Sequence, residues 1–166
     1  MQEVLQRARR IRLMIFDVDG VLTDGTLWYG PRGEELKAFS AHDGHGIKLL
    51  AAAGVAIALL SGRRSKAVAV RARELGIREV HQGVEDKLLV FGTMLKKHRL
   101  TPAAAGFMGD ELVDLPVLER CGFACAPREA PAAVRSRVHH VTAAPAGRGA
   151  VRELCDLLLG AQGGKQ

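Results

Sequence analysis

The chain is poor in aromatic side chains: its 166 residues include one Trp, one Tyr and five Phe, 4% in all. A surface that binds nucleic acid by stacking needs aromatics interleaved with its cations, so the net charge of +6 is read as dispersed surface charge, with the dense run Arg7 to Arg12 as a solvated turn or two. Some of those cations remain available to an anionic substrate. Cysteine is also scarce. Cys121, Cys125 and Cys155 are odd in number and lack CxxC spacing, which excludes a disulfide framework and a zinc knuckle and predicts reduced, buried thiols. Long apolar runs are missing too: each ends at glycine or charge well short of the ~20 residues a bilayer span requires. Arg7-Ala8-Arg9-Arg10 leads into a strand-like run instead of the apolar core of a secretion signal. The expectation is a soluble, cytoplasmic chain with neither a nucleic-acid nor a membrane partner. With 48% hydrophobic residues over this length, residues 1–166 are expected to bury one core as a single domain.

What is present is an alternation. Strand-like runs at 11–16, 55–60, 79–81, 105–108, 122–125 and 138–141 are separated by helical patterns at 46–53, 65–75, 87–97, 112–120, 130–135 and 149–159. This predicts an α/β fold, a three-layer Rossmann-like parallel sheet with helices on both faces and ligands at the C-terminal ends of the strands. The rhythm is broken at 26–39, where Thr-Leu-Trp-Tyr and Glu-Leu-Lys-Ala-Phe flank Gly30-Pro31-Arg32-Gly33, a small β-hairpin inserted after the first strand. A hairpin of this size is marginal alone, so its Trp28 and Tyr29 are expected to meet another surface, such as a second copy of the chain. The Gly-rich end after Leu159 is read as frayed, within a tail spanning about 145–166.

Chemistry gathers at the predicted strand ends. After the first strand come Asp17-Val18-Asp19-Gly20, whose alternation sends both carboxylates the same way. After the second come Ser61-Gly62-Arg63, a hydroxyl and backbone amides at a helix start, where anions bind. The third leads to Gly83 and Lys87, a cation at a helix N-terminus, which the macrodipole disfavours unless an anion is close. The fourth leads to Gly109-Asp110-Glu111 and Asp114. Each motif alone is common; the ordered set is not.

That set resembles the haloacid dehalogenase superfamily of phosphotransferases. Its resemblance extends through Asp17 to Gly25, Phe39 with Asp43-Gly44-His45-Gly46-Ile47, Arg71 with Glu74 to Ile77, Gln82-Gly83 with Asp86-Lys87, Asp114-Leu115-Pro116 and Gly147 to Glu153. Over nearly the whole chain these look like the capless 3-deoxy-D-manno-octulosonate 8-phosphate phosphatases, which feed lipopolysaccharide synthesis. The intervals 20–60 and 88–109 are too short for a cap domain.

The resemblance implies Mg²⁺ held by Asp17, Asp110 and the Asp19 backbone carbonyl, because carboxylate oxygens suit a hard cation. It implies Asp17 as nucleophile, Asp19 as general acid and base, and Ser61 and Lys87 on the transferring oxygens. Asp114 would orient Lys87 or a water on the ion. The substrate's far carboxylate calls for Arg63, Arg71 and Lys48, and Ser40, Ala41, His42, Asp43 and Gly44 would line the substrate. Glu111 and Lys48 stand where many relatives carry Asp and Arg. Members are homotetramers whose hairpins meet at the centre, so Arg148 in the tail would reach a neighbouring site. A nine-carbon sugar-acid phosphatase, or a non-catalytic scaffold or nucleic-acid binder, are the competing readings. His45 is read as solvent-facing, and His139-His140 as lacking a ligand role because adjacent strand residues face opposite ways.

Overall fold

The computed structural model describes residues 2–33 and 35–163. Leu13, Met14, Ile15 and Phe16 form β1, wholly buried. Because successive side chains leave opposite faces, Met14 and Phe16 enter one core with Leu59, Met108 and Phe123, while Leu13 and Ile15 enter a second with Ala58, Leu60 and Phe107. A strand buried on both faces has no polar side, which is why this run is continuously apolar.

β1 lies at the middle of a six-stranded sheet. In chain order the other elements are α1 (Gln2–Arg9), the hairpin β2 (Trp28–Tyr29) and β3 (Glu35–Leu36), α2 (Ala41–Ala52), β4 (Ala56–Ser61), α3 (Lys66–Leu75), β5 (Glu79–Gln82) and α4 (Lys87–His98). There follow β6 (Ala105–Met108), α5 (Leu115–Leu118), β7 (Phe123–Ala126), α6 (Ala132–Arg135), β8 (His140–Val141) and α7 (Ala150–Ala161). The sheet order is β5-β4-β1-β6-β7-β8, and every pairing in it is parallel. Helices α1, α2, α3 and α7 cover the first core and α4, α5 and α6 the second. The chain order reverses around β1, so a crevice opens where β1, β4 and β6 end together. No helix of the described residues is long and apolar enough to cross a membrane.

Three expectations are corrected. The arginine-rich start is the helix α1, not a solvated turn or two: Ala8 is fully buried, Arg7 Nη1 donates to the Gly122 carbonyl at 3.2 Å and Arg9 Nε to that of Ala161 at 3.1 Å. The helix expected from Gly46 starts instead at Ala41, with Ser40 as N-cap accepting from the Asp43 amide at 3.3 Å. Its glycines are contact points: a Cβ on Gly46 would lie 3.2 Å from the Arg152 Cα, so α2 and α7 approach backbone to backbone. The end expected to fray remains helical to Ala161, and residues 164–166 lie outside the described residues. The three thiols are free and buried.

Asp43, expected at the substrate, is 1% exposed and its oxygens accept the amides of Gly149 at 3.2 Å and Arg152 at 2.8 Å. Burial pushes its pKa up, although these bonds oppose the rise. The carboxylate satisfies donors at the start of α7 that have no partner within that helix. Asp43→Ala is therefore expected to lower stability by about 1–3 kcal/mol, since it leaves buried amides unpaired, and urea unfolding monitored by circular dichroism checks this.

Candidate active site

β1 ends at Phe16, and Asp17 takes the next position with its amide bonded to the Met108 carbonyl at 2.9 Å, which fixes the first acid against β6. Its Oδ1 accepts the Val18 amide at 2.7 Å, and its Oδ2 lies 3.0 Å from Lys87 Nζ. Gly20, at φ +83°, turns the chain, and a Cβ there would collide with the Asp110 carboxylate. Ser61 closes β4, is 2% exposed, and accepts the Arg63 amide on Oγ at 3.3 Å.

Lys87 is the first residue of α4, whose N-cap Asp86 accepts the Leu89 amide at 2.9 Å. Its ammonium is buried between Asp17 and Asp114, the latter at 2.6 Å. Burial works against its charge, but the two carboxylates outweigh burial and raise its pKa. The anions that a lysine at a helix start demands are thus supplied by the protein itself. Asp114 is fully buried, and its other oxygen accepts the amides of Asp110 at 3.0 Å and Glu111 at 3.2 Å. The Glu111 carboxylate is turned to the Leu112 amide at 2.7 Å.

Asp17, Asp110 and Asp114 each offer an oxygen, all within 4.8 Å of one another. Three carboxylates this close with one lysine leave negative charge without compensation. Burial, against the pull of Lys87, pushes Asp17 up to about 6. Asp110 goes up to about 7, from burial and then from Asp17 and Asp114. Asp110 Oδ1 is buried with no hydrogen-bond partner. Hard oxygen donors, an unpartnered buried oxygen and excess negative charge fit a divalent cation such as Mg²⁺. Asp17 and Asp110 line the cavity while Asp114 lies fully buried behind them, so Asp17 and Asp110 are the residues that would hold it.

Asp19 is held from the opposite side. The hairpin returns over the strand ends, and Lys37, whose side chain is entirely buried, contacts both Asp19 and Glu35. Arg63 donates to Tyr29 Oη at 2.7 Å and to Glu35 at 2.8 Å, and its Nε lies 3.7 Å from Asp19. The Arg63 hydrogen bond, against burial and with help from Ser65 and Lys37, holds Glu35 down at about 2.

Asp17, Asp19, Ser61, Arg63, Lys87 and Asp110 line one open cavity of about 420 Å³. Ser40, Ala41, His42, Asp43, Gly44, Lys48 and Arg71 lie outside it. Arg71 donates to the Ser40 carbonyl at 3.0 Å and to Glu74 at 2.9 Å, and sits over the Phe39 ring. Arg148 is 75% exposed in its side chain and lies 3.7 Å from Asp24. His45 is exposed, whereas His139 Nδ1 accepts the Ala124 amide at 2.8 Å. The sequence reading missed Glu35 and Lys37. Their signal was alternation in the second arm of the hairpin, where 35 and 37 are charged around the apolar 36.

No family model matches the chain. It is 44% identical over 161 residues to the 3-deoxy-D-manno-octulosonate 8-phosphate phosphatase of Escherichia coli (strain K12), covering 97% of this chain and 86% of that one. Among solved structures, the enzyme of the same name from Yersinia pestis superimposes with a TM-score of 0.95 at 43% identity, covering 97% of this chain and 87% of that one. The Moraxella catarrhalis phosphatase, solved in complex with magnesium ion, phosphate ion and KDO, has a TM-score of 0.96 at 38% identity, covering 98% and 94%.

Mg²⁺ is expected to stabilise the folded chain, by about 2.7 kcal/mol at a hundredfold excess over its dissociation constant, which raises Tm by several degrees. Asp110→Asn should abolish most of that rise. Differential scanning calorimetry with and without Mg²⁺ measures both.

Proposed function

The chain belongs to the 3-deoxy-D-manno-octulosonate 8-phosphate phosphatases of the haloacid dehalogenase superfamily, and we propose that it hydrolyses this eight-carbon sugar-acid phosphate through an aspartyl phosphate on Asp17. The observation that carries the reading is the convergence of Asp17, Lys87 and Asp110 at the ends of adjoining strands, with Asp114 buried behind them. Residues 1–166 act as one catalytic domain, in the cytoplasm, on a step that supplies lipopolysaccharide synthesis.

A Mg²⁺ ion held by Asp17, Asp110 and the Asp19 carbonyl would offset the charge that keeps a carboxylate from a phosphate. Asp17 attacks phosphorus, and its new O–P bond forms as the bond from phosphorus to the sugar oxygen breaks. Asp19 gives its proton to the departing alkoxide. It then takes one from the water that attacks the aspartyl phosphate, which frees inorganic phosphate and restores the Asp17 carboxylate. Ser61 and Lys87 hold the transferring oxygens, where charge develops. Asp114 keeps Lys87 in place. Arg63 receives the sugar carboxylate at the cavity rim.

The working assembly in this proposal is a homotetramer built on the hairpins. What supports it is the outer hairpin face, where Trp28 is 61% and Leu36 64% exposed, an apolar patch that a partner would cover. Ser40, Ala41, His42, Lys48, Arg71 and Arg148, outside this chain's own cavity, then serve the site of a neighbouring copy, while the buried Asp43 and Gly44 hold α2 in place.

Phosphate release from a panel of sugar phosphates with Mg²⁺ tests the chemistry. Turnover should be fastest on the eight-carbon acid phosphate, and Asp17→Asn should reduce kcat by about three orders of magnitude or more. Faster turnover on hexose phosphates would overturn the substrate assignment, and preference for a nine-carbon acid would move it. The assembly has its own test. Trp28→Glu combined with Leu36→Glu removes apolar anchors that are typically worth about 2 kcal/mol each in an interface. Sedimentation should then show monomers, with activity at least about tenfold lower.

A further inference from the structure

The hairpin has two unlike faces. Its register sets Trp28 opposite Leu36 and Tyr29 opposite Glu35, so the first pair shares one face and the second pair the other. Trp28 and Leu36 point away from the chain. Tyr29, Glu35 and, by continued alternation, Lys37 point toward the strand ends, where their polar groups meet Arg63 and Asp19.

On that inner face, four charges form a closed ring. Lys37 bridges Asp19 Oδ1 and Glu35 Oε1, the second contact at 3.0 Å. Arg63 bridges the other two oxygens of the same acids, Glu35 Oε2 at 2.8 Å and Asp19 Oδ2 at 3.7 Å. The two ends of Asp19 are therefore unequal. Oδ1 is gripped by a lysine with no exposed side-chain surface, while Oδ2 is buried beside the cavity with no hydrogen-bond partner, so the incoming substrate must meet it there. A buried lysine between two carboxylates is a poor stabiliser, because desolvating the charges offsets their attraction and apolar groups of equal volume do as well or better. Such a lysine is better suited to orienting a carboxylate than to holding a fold.

We infer that Lys37 is the positioning residue for Asp19: by holding Oδ1 it fixes the carboxyl so that Oδ2 exchanges the proton with the leaving oxygen and with water. Glu35 and Arg63 complete the frame that holds the lysine. The hairpin is then part of the catalytic apparatus on its inner face as well as an assembly element on its outer one. This rests on the proposed role of Asp19 as acid and base. Misplacing a catalytic group by about 1 Å costs on the order of 100-fold in rate, so a carboxyl free to rotate about its side-chain bonds loses much of its effect.

Leaving-group chemistry separates positioning from general damage. A sugar alkoxide needs a proton to depart and nitrophenolate does not, although both routes need base catalysis to hydrolyse the aspartyl phosphate. With Mg²⁺ present, Lys37→Met is expected to lose about 100-fold in kcat on the sugar-acid phosphate, with KM changed by less than about threefold because Lys37 touches no substrate. On p-nitrophenyl phosphate it should keep a rapid burst of about one nitrophenolate per site, followed by slow turnover. Asp19→Asn should show the same pattern. Sedimentation and circular dichroism establish that Lys37→Met assembles. If it does not, Lys37→Gln, which removes the charge and keeps a donor, is read on the same two substrates. Equal losses on both substrates without a burst, or no loss on either, overturn the proposal. If Asp19→Asn gives the pattern and the Lys37 variant does not, only the positioning role falls. If Asp19→Asn itself lacks it, the acid-base reading of Asp19 falls and takes the proposal with it.

Discussion

One ammonium group, that of Lys87, stands in the buried space between Asp17 and Asp114, and the arrangement of the strand ends follows from the need to keep it charged there. An isolated lysine taken out of water would shed its proton; two carboxylates at 3.0 and 2.6 Å hold it on,. Those carboxylates are in turn kept in place by amides: Val18 on Asp17, and Asp110 and Glu111 on Asp114. Strand β1, helix α4 and the turn after β6 are tied at one point by charge as well as by the apolar cores beneath. Removing the lysine alone would leave two buried acids facing each other, a change of the kind that costs about 3–5 kcal/mol.

The same point explains why a cation belongs beside it. Lys87 sets one positive charge, shared between Asp17 and Asp114, against three clustered carboxylates, and Asp110 is left with an unpartnered oxygen. The fold brings the acids together because β1 is central and its neighbours β4 and β6 are parallel to it, so residues far apart in sequence end at the same edge. Repulsion among the acids is held in the native state by the sheet, and it makes the site receptive to positive charge and to the phosphate that follows it.

Much of this was legible in the chain before any coordinates. Strands β1, β4, β6 and β7 are short apolar runs, the acids and the hydroxyl stand at the ends of the first three, and Lys87 comes shortly after β5, so Asp17, Ser61, Lys87 and Asp110 could be assigned to one crevice from order alone. Other parts could not be read this way. Helix α1 was hidden because its arginines look like solvated charge, although two of them are spent on carbonyl oxygens. The first turn of α2 was hidden by Gly44 and Gly46, which lower helix propensity and are present because α3 and α7 pass too close for a side chain. Asp43 sits in a motif that suggests ligand contact, yet its partners are amides more than a hundred residues away. Alternation around Leu36 puts Glu35 and Lys37 on one face of the hairpin, but which face turns inward emerges only when the hairpin is placed over β1 and β4.

The sulfur atoms carry a different consequence. Cys121, Cys125 and Cys155 are buried at 5%, 0% and 0% exposure, and burial pushes all three thiols up, Cys121 to about 12. Peroxide and alkylating reagents attack the thiolate, and here that form is suppressed and enclosed. The three thiols are thereby kept away from oxidants and electrophiles. Chemistry in the cavity is left to hard oxygen atoms, and the cysteines offer a change in redox surroundings no handle as long as the chain stays folded.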